Sequence, residues 1–402
     1  MIQTGIWWLF LGLGPVIYWL LPLRARIPAL ALASLALLAV FAAQDLVLML
    51  ALALLAFAAY RLPARVLAAL PPGLARALRS PWPFWAVLIY FLWAKYLPAL
   101  GALFSGAGVG PVLIPLGVSY FSFKLLHYVI EVRRGNFPAH GLADFLAWLF
   151  LAPIFTAGPI ERFEHFLRER ELARFEMRFV QEGVLRIAQG LVKKFVLGWL
   201  VLELLDRLTG KTGLSGLALA ETASPAWQVW AALFLTLAYV YLDFAGYSDI
   251  AIGSARLFGL RIMENFNLPF LATNLQAFWQ RWHMTLANWC RSYIYMAMIG
   301  LTRNPYVAVL ATFATMGLWH SASPHWIIWG LWHGAGLAWL MYWGQLSRRR
   351  GITLFRSRAG GLLGWALTLS YVALGGAFTA LHDKAPVGAA LRLIGMAFGL
   401  AG

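Results

Sequence analysis

The stretch Ala226-Trp-Gln-Val-Trp-Ala-Ala-Leu-Phe-Leu-Thr-Leu-Ala-Tyr-Val-Tyr-Leu-Asp-Phe-Ala-Gly246 is apolar over the length of a bilayer crossing. A helix needs roughly 20 apolar residues to span the hydrocarbon core. This one runs directly into residues 246–304, where Asp249, Arg256, Arg261, Glu264, Arg281, His283 and Arg291 stand among aromatics. That second stretch is too polar to face lipid and too rich in Trp, Phe and Tyr to be a free loop. Polar or non-helical backbone at membrane depth is tolerated only where protein buries it or where it lines a wet cavity. Together the two stretches predict an all-α membrane protein with a polar segment that lines something.

Further apolar runs lie near 5–21, 27–43, 45–59, 81–104, 111–130, 143–159, 187–206, 305–319, 325–345, 361–380 and 386–401. They predict a polytopic protein with ten or eleven crossings; 45–59 and 143–159 are short enough to be re-entrant. Residues 6–21 read as the first membrane helix, because no Ala-x-Ala-like cleavage site follows. With no internal repeat and no clear linker, residues 1–402 are expected to form a single domain.

Composition supports the bilayer as solvent. The 402 residues are 61% hydrophobic and 12% charged, about half the charged fraction of a soluble domain. The formal charge of +16 would suggest nucleic acid in a soluble chain. Here the basic residues sit in short stretches between apolar runs, so they read as positive-inside signals and nucleic acid is not an expected partner. Arg24 and Arg26 follow the first run, Arg61, Arg65, Arg76 and Arg79 the third, and Arg133 and Arg134 the fifth. Residues 44–45 and 105–110 lack Lys and Arg. The N-terminus is therefore expected outside, with Arg348, Arg349 and Arg350 on the cytoplasmic side. Residues 160–194 carry eight Lys or Arg and six Glu and read as cytoplasmic amphipathic helices.

A single cysteine, Cys290, excludes an internal disulfide and a cysteine-based metal cluster. Ionisable groups in membrane segments are costly, and a functional reading is their default. His320 closes the apolar run 307–319, where a neutral imidazole can take a proton from a hydroxyl, as general-base chemistry requires. For any one histidine, a hydrogen-bonded core role is the plainer reading, and His325 and His333 are open to it. No metal is expected: His320 and His325 lack i, i+4 spacing with a carboxylate, and Pro324 breaks the helix between them. No nucleophile elbow or phosphate-binding loop is present; the alternate glycines of 105–110 read as a flexible loop.

Seven fragments then occur in order: Pro115-Leu-Gly-Val-Ser-Tyr-Phe-Ser-Phe, Ala157-Gly-Pro-Ile-Glu-Arg-Phe, Gly190-Leu-Val-Lys-Lys, Asp243-Phe-Ala-Gly-Tyr-Ser-Asp-Ile-Ala-Ile-Gly, Glu264-Asn-Phe-Asn-Leu-Pro-Phe, Phe278-Trp-Gln-Arg-Trp-His-Met and Gly317-Leu-Trp-His. In this the chain, over about 110–345, resembles the membrane-bound O-acyltransferase family. The resemblance implies a helical shell around a tunnel, with His320 as the base and His283 hydrogen-bonding the acyl carbonyl or positioning the donor. Arg281, Trp282, Asn288, Trp319, Ser321, Asp249 and Tyr247 are expected to line the tunnel. It also implies an acyl thioester co-substrate, carried by coenzyme A or a phosphopantetheine carrier protein, and no tightly bound cofactor. An acyl carrier protein on the cytoplasmic face, and an extracytoplasmic polymer or a relay protein as acceptor, are the implied partners besides the lipid bilayer. The prokaryotic envelope-modifying branch, in the bacterial inner (plasma) membrane, fits best. Chain length and Arg281-Trp-His-Met-Thr-Leu favour the teichoic-acid D-alanyltransferases within it, while Gly246-Tyr-Ser-Asp-Ile-Ala-Ile-Gly is shared with the alginate-type O-acetyltransferases. Ser292 and Ser321 depart from the family's usual Arg-Asp-Tyr and Trp-His-Gly. The alternative is a multi-pass transporter or channel without chemistry, although no inverted hydropathy repeat supports it.

Overall fold

A computed structural model describes residues 1–61, 70–73, 80–105, 115–210, 219, 224–382 and 385–400, with backbone alone at 98–105 and 356. Arg65, Arg76, Arg79 and the glycines of 106–110 lie outside the described residues, as does the start of the run 111–130. Among the described residues the regular structure is helical, with no strand. Among the described residues three helices are long and apolar enough to cross a membrane: Leu23–Arg61, Ala226–Leu257 and Arg358–Ala380. Shorter apolar helices include Gly5–Leu20 and Val387–Ala397.

The chain divides into two compact units, Met1–Ala188 with Ser248–Met263, and Gln189–Tyr247 with Glu264–Gly402. The first contains α1 (Gly5–Leu20), α2 (Leu23–Arg61), α3 (Trp82–Ser105), α4 (Val118–Arg133), α5 (Leu142–Leu149) and α6 (Phe163–Leu172). It also takes most of α7 (Met177–Leu191), whereas α8 (Gly198–Thr209) belongs to the second unit. The runs 27–43 and 45–59 are two helices in direct succession, grouped here as α2, and the backbone between them leaves helical geometry at Ala42 (φ −155°, ψ 52°). Gln44 and Asp45 follow directly after that break, and the Asp45 carboxylate accepts the Leu116 N–H at 3.3 Å.

Three buried charged groups of the first unit, Lys124, Glu161 and Asp249, are tied to partners that the chain supplies, whereas Trp7 Nε1 and Ser122 Oγ are buried there without one. Lys124, on the buried α4, donates to the Trp148 carbonyl and, at 3.1 Å, to the Leu149 carbonyl at the end of α5. These carbonyls sit at a helix end, where four C=O groups lack intrahelical partners. Glu161, 1% exposed, accepts the Met263 N–H at 2.8 Å and also meets the His165 ring. Tyr128, Phe145, Trp148 and Phe163 close around these groups, with Tyr128 and Phe145 centroids 4.5 Å apart and Trp148 and Phe163 4.9 Å apart.

The division between units falls within α9 (Ala226–Leu257). In the first unit, a Cβ on Gly253 would lie 2.6 Å from the Gly183 carbonyl oxygen, so glycine there permits backbone contact between α7 and α9. Ion pairs flank that contact: Arg186 with Asp249 at 2.7 Å and Arg256 with Glu182 at 3.0 Å. In the second unit Gly246 meets the Gly190 carbonyl in the same way, beside a Lys194–Asp243 pair. The Asp243–Gly253 and Gly190–Lys194 fragments are thus explained by how closely these backbones approach.

The second unit continues through α10 (Leu275–Trp279), α11 (Met284–Cys290) and α12 (Met296–Thr302) to α13 (Pro305–His320) and α14 (Pro324–Arg350). It ends with α15 (Arg358–Ala380) and α16 (Val387–Ala397). Two glycines bring α13 and α14 into backbone contact: a Cβ on Gly317 would lie 2.1 Å from the Trp326 carbonyl oxygen, and one on Gly330 2.2 Å from that of Phe313. Small residues that let backbones approach are the usual means of helix association in lipid, where burial of apolar surface gives no advantage.

Candidate active site

His320 is the last residue of α13, and Ser321 leaves the helix in an extended conformation (φ −160°, ψ 153°). The turn is short. The Ser321 N–H still donates to the Gly317 carbonyl at 3.3 Å, the Ser321 hydroxyl accepts the Ser323 N–H at 3.2 Å, and Pro324 begins α14. Because the α13–α14 contact fixes the hairpin, the first turns of α14 lie beside the end of α13. The His320 ring stacks on Trp326, centroids 4.2 Å apart and planes 15° from parallel, and meets Trp329 edge-on at 5.4 Å. Trp319 completes the enclosure at 4.5 Å. The imidazole is only partly buried, so three indoles surround it without sealing it.

His283 reaches the same place from the polar segment. Residues 264–270 and 278–284 exchange backbone hydrogen bonds, Asn267 N–H to the Arg281 carbonyl and Met284 N–H to the Asn265 carbonyl, each at 2.9 Å. The Thr285 hydroxyl donates to the buried Asn265 side chain at 2.7 Å. These bonds hold His283 in the left-handed region (φ 42°, ψ 53°) at the N-cap of α11. A non-glycine residue there is uncommon and costs on the order of 1–3 kcal/mol, a cost often seen at functional sites. The ring is 4% exposed, packs edge-on against Phe244 at 4.6 Å and lies 6.3 Å from Trp319. Its Nε2 is buried with no hydrogen-bond partner. Trp319 thus touches both His283 and His320.

The other expected site residues are more dispersed. Trp282 sits in an aromatic box with Tyr241, Phe266, Phe270 and Phe278, stacked on Phe278 at 5.4 Å. Ser321 shapes the turn after His320. Arg281 is half-buried, its carbonyl engaged by Asn267, while Asn288 is exposed on α11 and Tyr247 half-buried on α9. Asp249 lies in the first unit, 4% exposed, where its ion pair with Arg186 accounts for its burial. Among the described residues no group of three or more His, Cys, Asp or Glu is placed to hold a metal ion.

Trp326 and Trp329 were not anticipated as site residues. With His333 they stand three and four residues apart, the spacing that places side chains on one helical face, and this signal was in the sequence. Trp329 lies 5.0 Å from His333, a 1% exposed ring that also meets Trp279 at 5.2 Å. His333 Nδ1 and His325 Nε2 are, like His283 Nε2, buried without a hydrogen-bond partner.

The fold and this centre define a polytopic α-helical membrane protein with histidines set among aromatics at the ends of helices. The chain belongs to the MBOAT (membrane-bound O-acyltransferase) family, which matches residues 37–372, a wider extent than 110–345. It is 32% identical over 299 residues to the probable alginate O-acetylase AlgI of Pseudomonas aeruginosa, covering 72% of this chain and 54% of that protein. It is 28% identical over 235 residues to the teichoic acid D-alanyltransferase of Bacillus subtilis, covering 53% and 55%. With the teichoic acid D-alanyltransferase of Streptococcus thermophilus it shares 31% identity over 268 residues, covering 63% and 62%. The chain spans about half the length of the curated relatives it matches. In aligned extent the P. aeruginosa protein exceeds these two D-alanyltransferases, against the preference that chain length suggested; total length says little about how far two chains align.

Proposed function

We propose that the chain is an O-acyltransferase of the bacterial plasma membrane that moves a small acyl group, acetyl or D-alanyl, from a cytoplasmic thioester to a hydroxyl. The acceptor in this reading is an extracytoplasmic polysaccharide or teichoic-acid-like polymer, or a relay protein that passes the group on. The observation that carries it is the meeting of His283 and His320 on the Trp319 ring, in a chain of this family.

The chemistry follows from the two environments. His320, partly open and flanked by indole faces that offer no competing positive charge, takes the hydroxyl proton as the oxygen bonds to the thioester carbonyl carbon. The carbonyl pair moves to oxygen, then returns as the C–S bond breaks, and the imidazolium gives its proton to the departing sulfur. An ester and a thiol result, with no net change of protons or oxidation state. His283 supplies Nε2, which no protein group claims, as a hydrogen-bond donor to the oxygen that gains charge; such donors typically contribute about 2.7–4 kcal/mol. Coenzyme A and a phosphopantetheine carrier protein both provide the thioester.

Mass spectrometry of surface polymers from cells with and without the chain tests this reading. Ester-linked acyl groups present only with the chain are expected, and their mass identifies the group and the acceptor together. Identical ester content in both would contradict acyl transfer to an envelope polymer.

A further inference from the structure

The second unit holds a cavity of about 890 Å³ that is not part of the histidine centre. It lies between the C-terminal half of α14, the N-terminal half of α15 and residues 273–275. Its lining is mainly apolar, with Trp339, Leu340, Trp343 and Leu367 prominent, and Arg348 stands at the rim. Among the described residues no Asp or Glu lines it. The Ser347 hydroxyl, also in the lining, is buried without a hydrogen-bond partner. Arg349 and Arg350 follow directly, on the side that the charge distribution assigns to the cytoplasm.

Two wall residues are glycines that the protein's own packing does not require. At Gly361 a Cβ would meet nothing within 4 Å, and at Gly344 it would meet only the Arg348 guanidinium, at 3.7 Å. Gly336, Gly360 and Gly364 in the same wall differ: a Cβ on any of them would come within 2.6 Å of another protein atom. Glycine within a helix is destabilising relative to alanine. At Gly344 and Gly361 the missing Cβ widens the cavity and does nothing else for the fold. A long apolar recess with one unopposed guanidinium and a free hydroxyl at one end matches an amphipathic anion.

We propose that this cavity binds an anionic phospholipid from the cytoplasmic leaflet, one acyl chain along Trp339, Trp343 and Leu367, and the phosphate at Arg348 with Ser347. The site is separate from acyl transfer and does not depend on it. Arg348 selects for negative charge, and the glycine wall admits the chain.

Native mass spectrometry of the full chain in detergent, with added phosphatidylglycerol or phosphatidylcholine, tests this. One retained phosphatidylglycerol per chain is expected, in preference to phosphatidylcholine. Arg348→Gln should reduce that preference by roughly fivefold, the factor for one basic residue at a membrane surface. Gly361→Phe should expel the lipid while the variant keeps its melting temperature; Gly344→Phe repeats the test from α14 if the first variant does not fold. Glycerol 3-phosphate, a headgroup without chains, should not compete. Equal retention of both lipids, retention unchanged in a folded glycine variant, or competition by glycerol 3-phosphate would overturn the proposal, the last by indicating a soluble phosphorylated ligand.

Discussion

Three buried charges of the first unit and three buried histidines of the second are treated in opposite ways. In the first, Lys124, Glu161 and Asp249 each end on a partner the fold supplies: carbonyls at the end of α5, the Met263 N–H with His165, and Arg186. In the second, His283, His325 and His333 each keep a buried ring nitrogen without a partner, and aromatic rings pack against His283 and His333. A buried polar group left unpaired costs about 1–3 kcal/mol. Satisfied groups hold a structure together, whereas unsatisfied ones are retained at a cost, and chemistry is a reason to retain them. The charged cluster is therefore accounted for by architecture, and the histidines are where a test of chemistry belongs.

That contrast predicts opposite responses to substitution. Glu161→Ala strands His165 and the Met263 N–H, and breaking a buried pair costs about 3–5 kcal/mol. Unfolding in detergent should show a large loss of stability; a variant as stable as the parent would erase the distinction between units. Gly317→Ala forces α13 from α14, since its Cβ would lie 2.1 Å from the Trp326 carbonyl oxygen. Overpacking of this kind costs about 1–3 kcal/mol, and both melting temperature and activity should fall, because the same contact positions His320.

His283→Asn tests the other side. Asparagine tolerates the left-handed backbone and removes the unpartnered ring, so stability should change by less than about 1 kcal/mol. Acyl transfer should fall by roughly 10²–10³-fold, the usual effect of losing one such donor. A destabilised but fully active variant would place His283 with the architecture instead. The smallest effect concerns His165 on α6. Its hydrogen bond to Glu161 raises its pKa above 6.5, against desolvation. A raised histidine pKa contributes stability fully below the unfolded value and loses it as pH rises through the folded one. Melting temperatures from pH 6 upward should therefore decline slightly more in the parent than in His165→Phe; parallel curves would remove the ion pair from the account.

Much of this was legible in the chain. Apolar length predicted the helices, and the polar, aromatic 246–304 stretch marked itself as buried in protein. His320 stood out by closing an apolar run, and it does end α13. Long-range pairing was not legible: nothing near Asp249 indicates that Arg186, 63 positions away, accounts for its burial. Hydropathy divides α2 at residue 44, close to where its backbone leaves helical geometry at Ala42. Lys124 and Glu161 did carry a signal, as charges in or beside apolar segments.

The most direct test of the central claim is His320→Ala, followed in one preparation by acyl-ester mass spectrometry and thermal unfolding. A general base contributes roughly 10²–10⁴-fold in rate, so esterification should fall by that factor while the melting temperature stays with the parent. Undiminished ester formation by a folded variant would contradict the account.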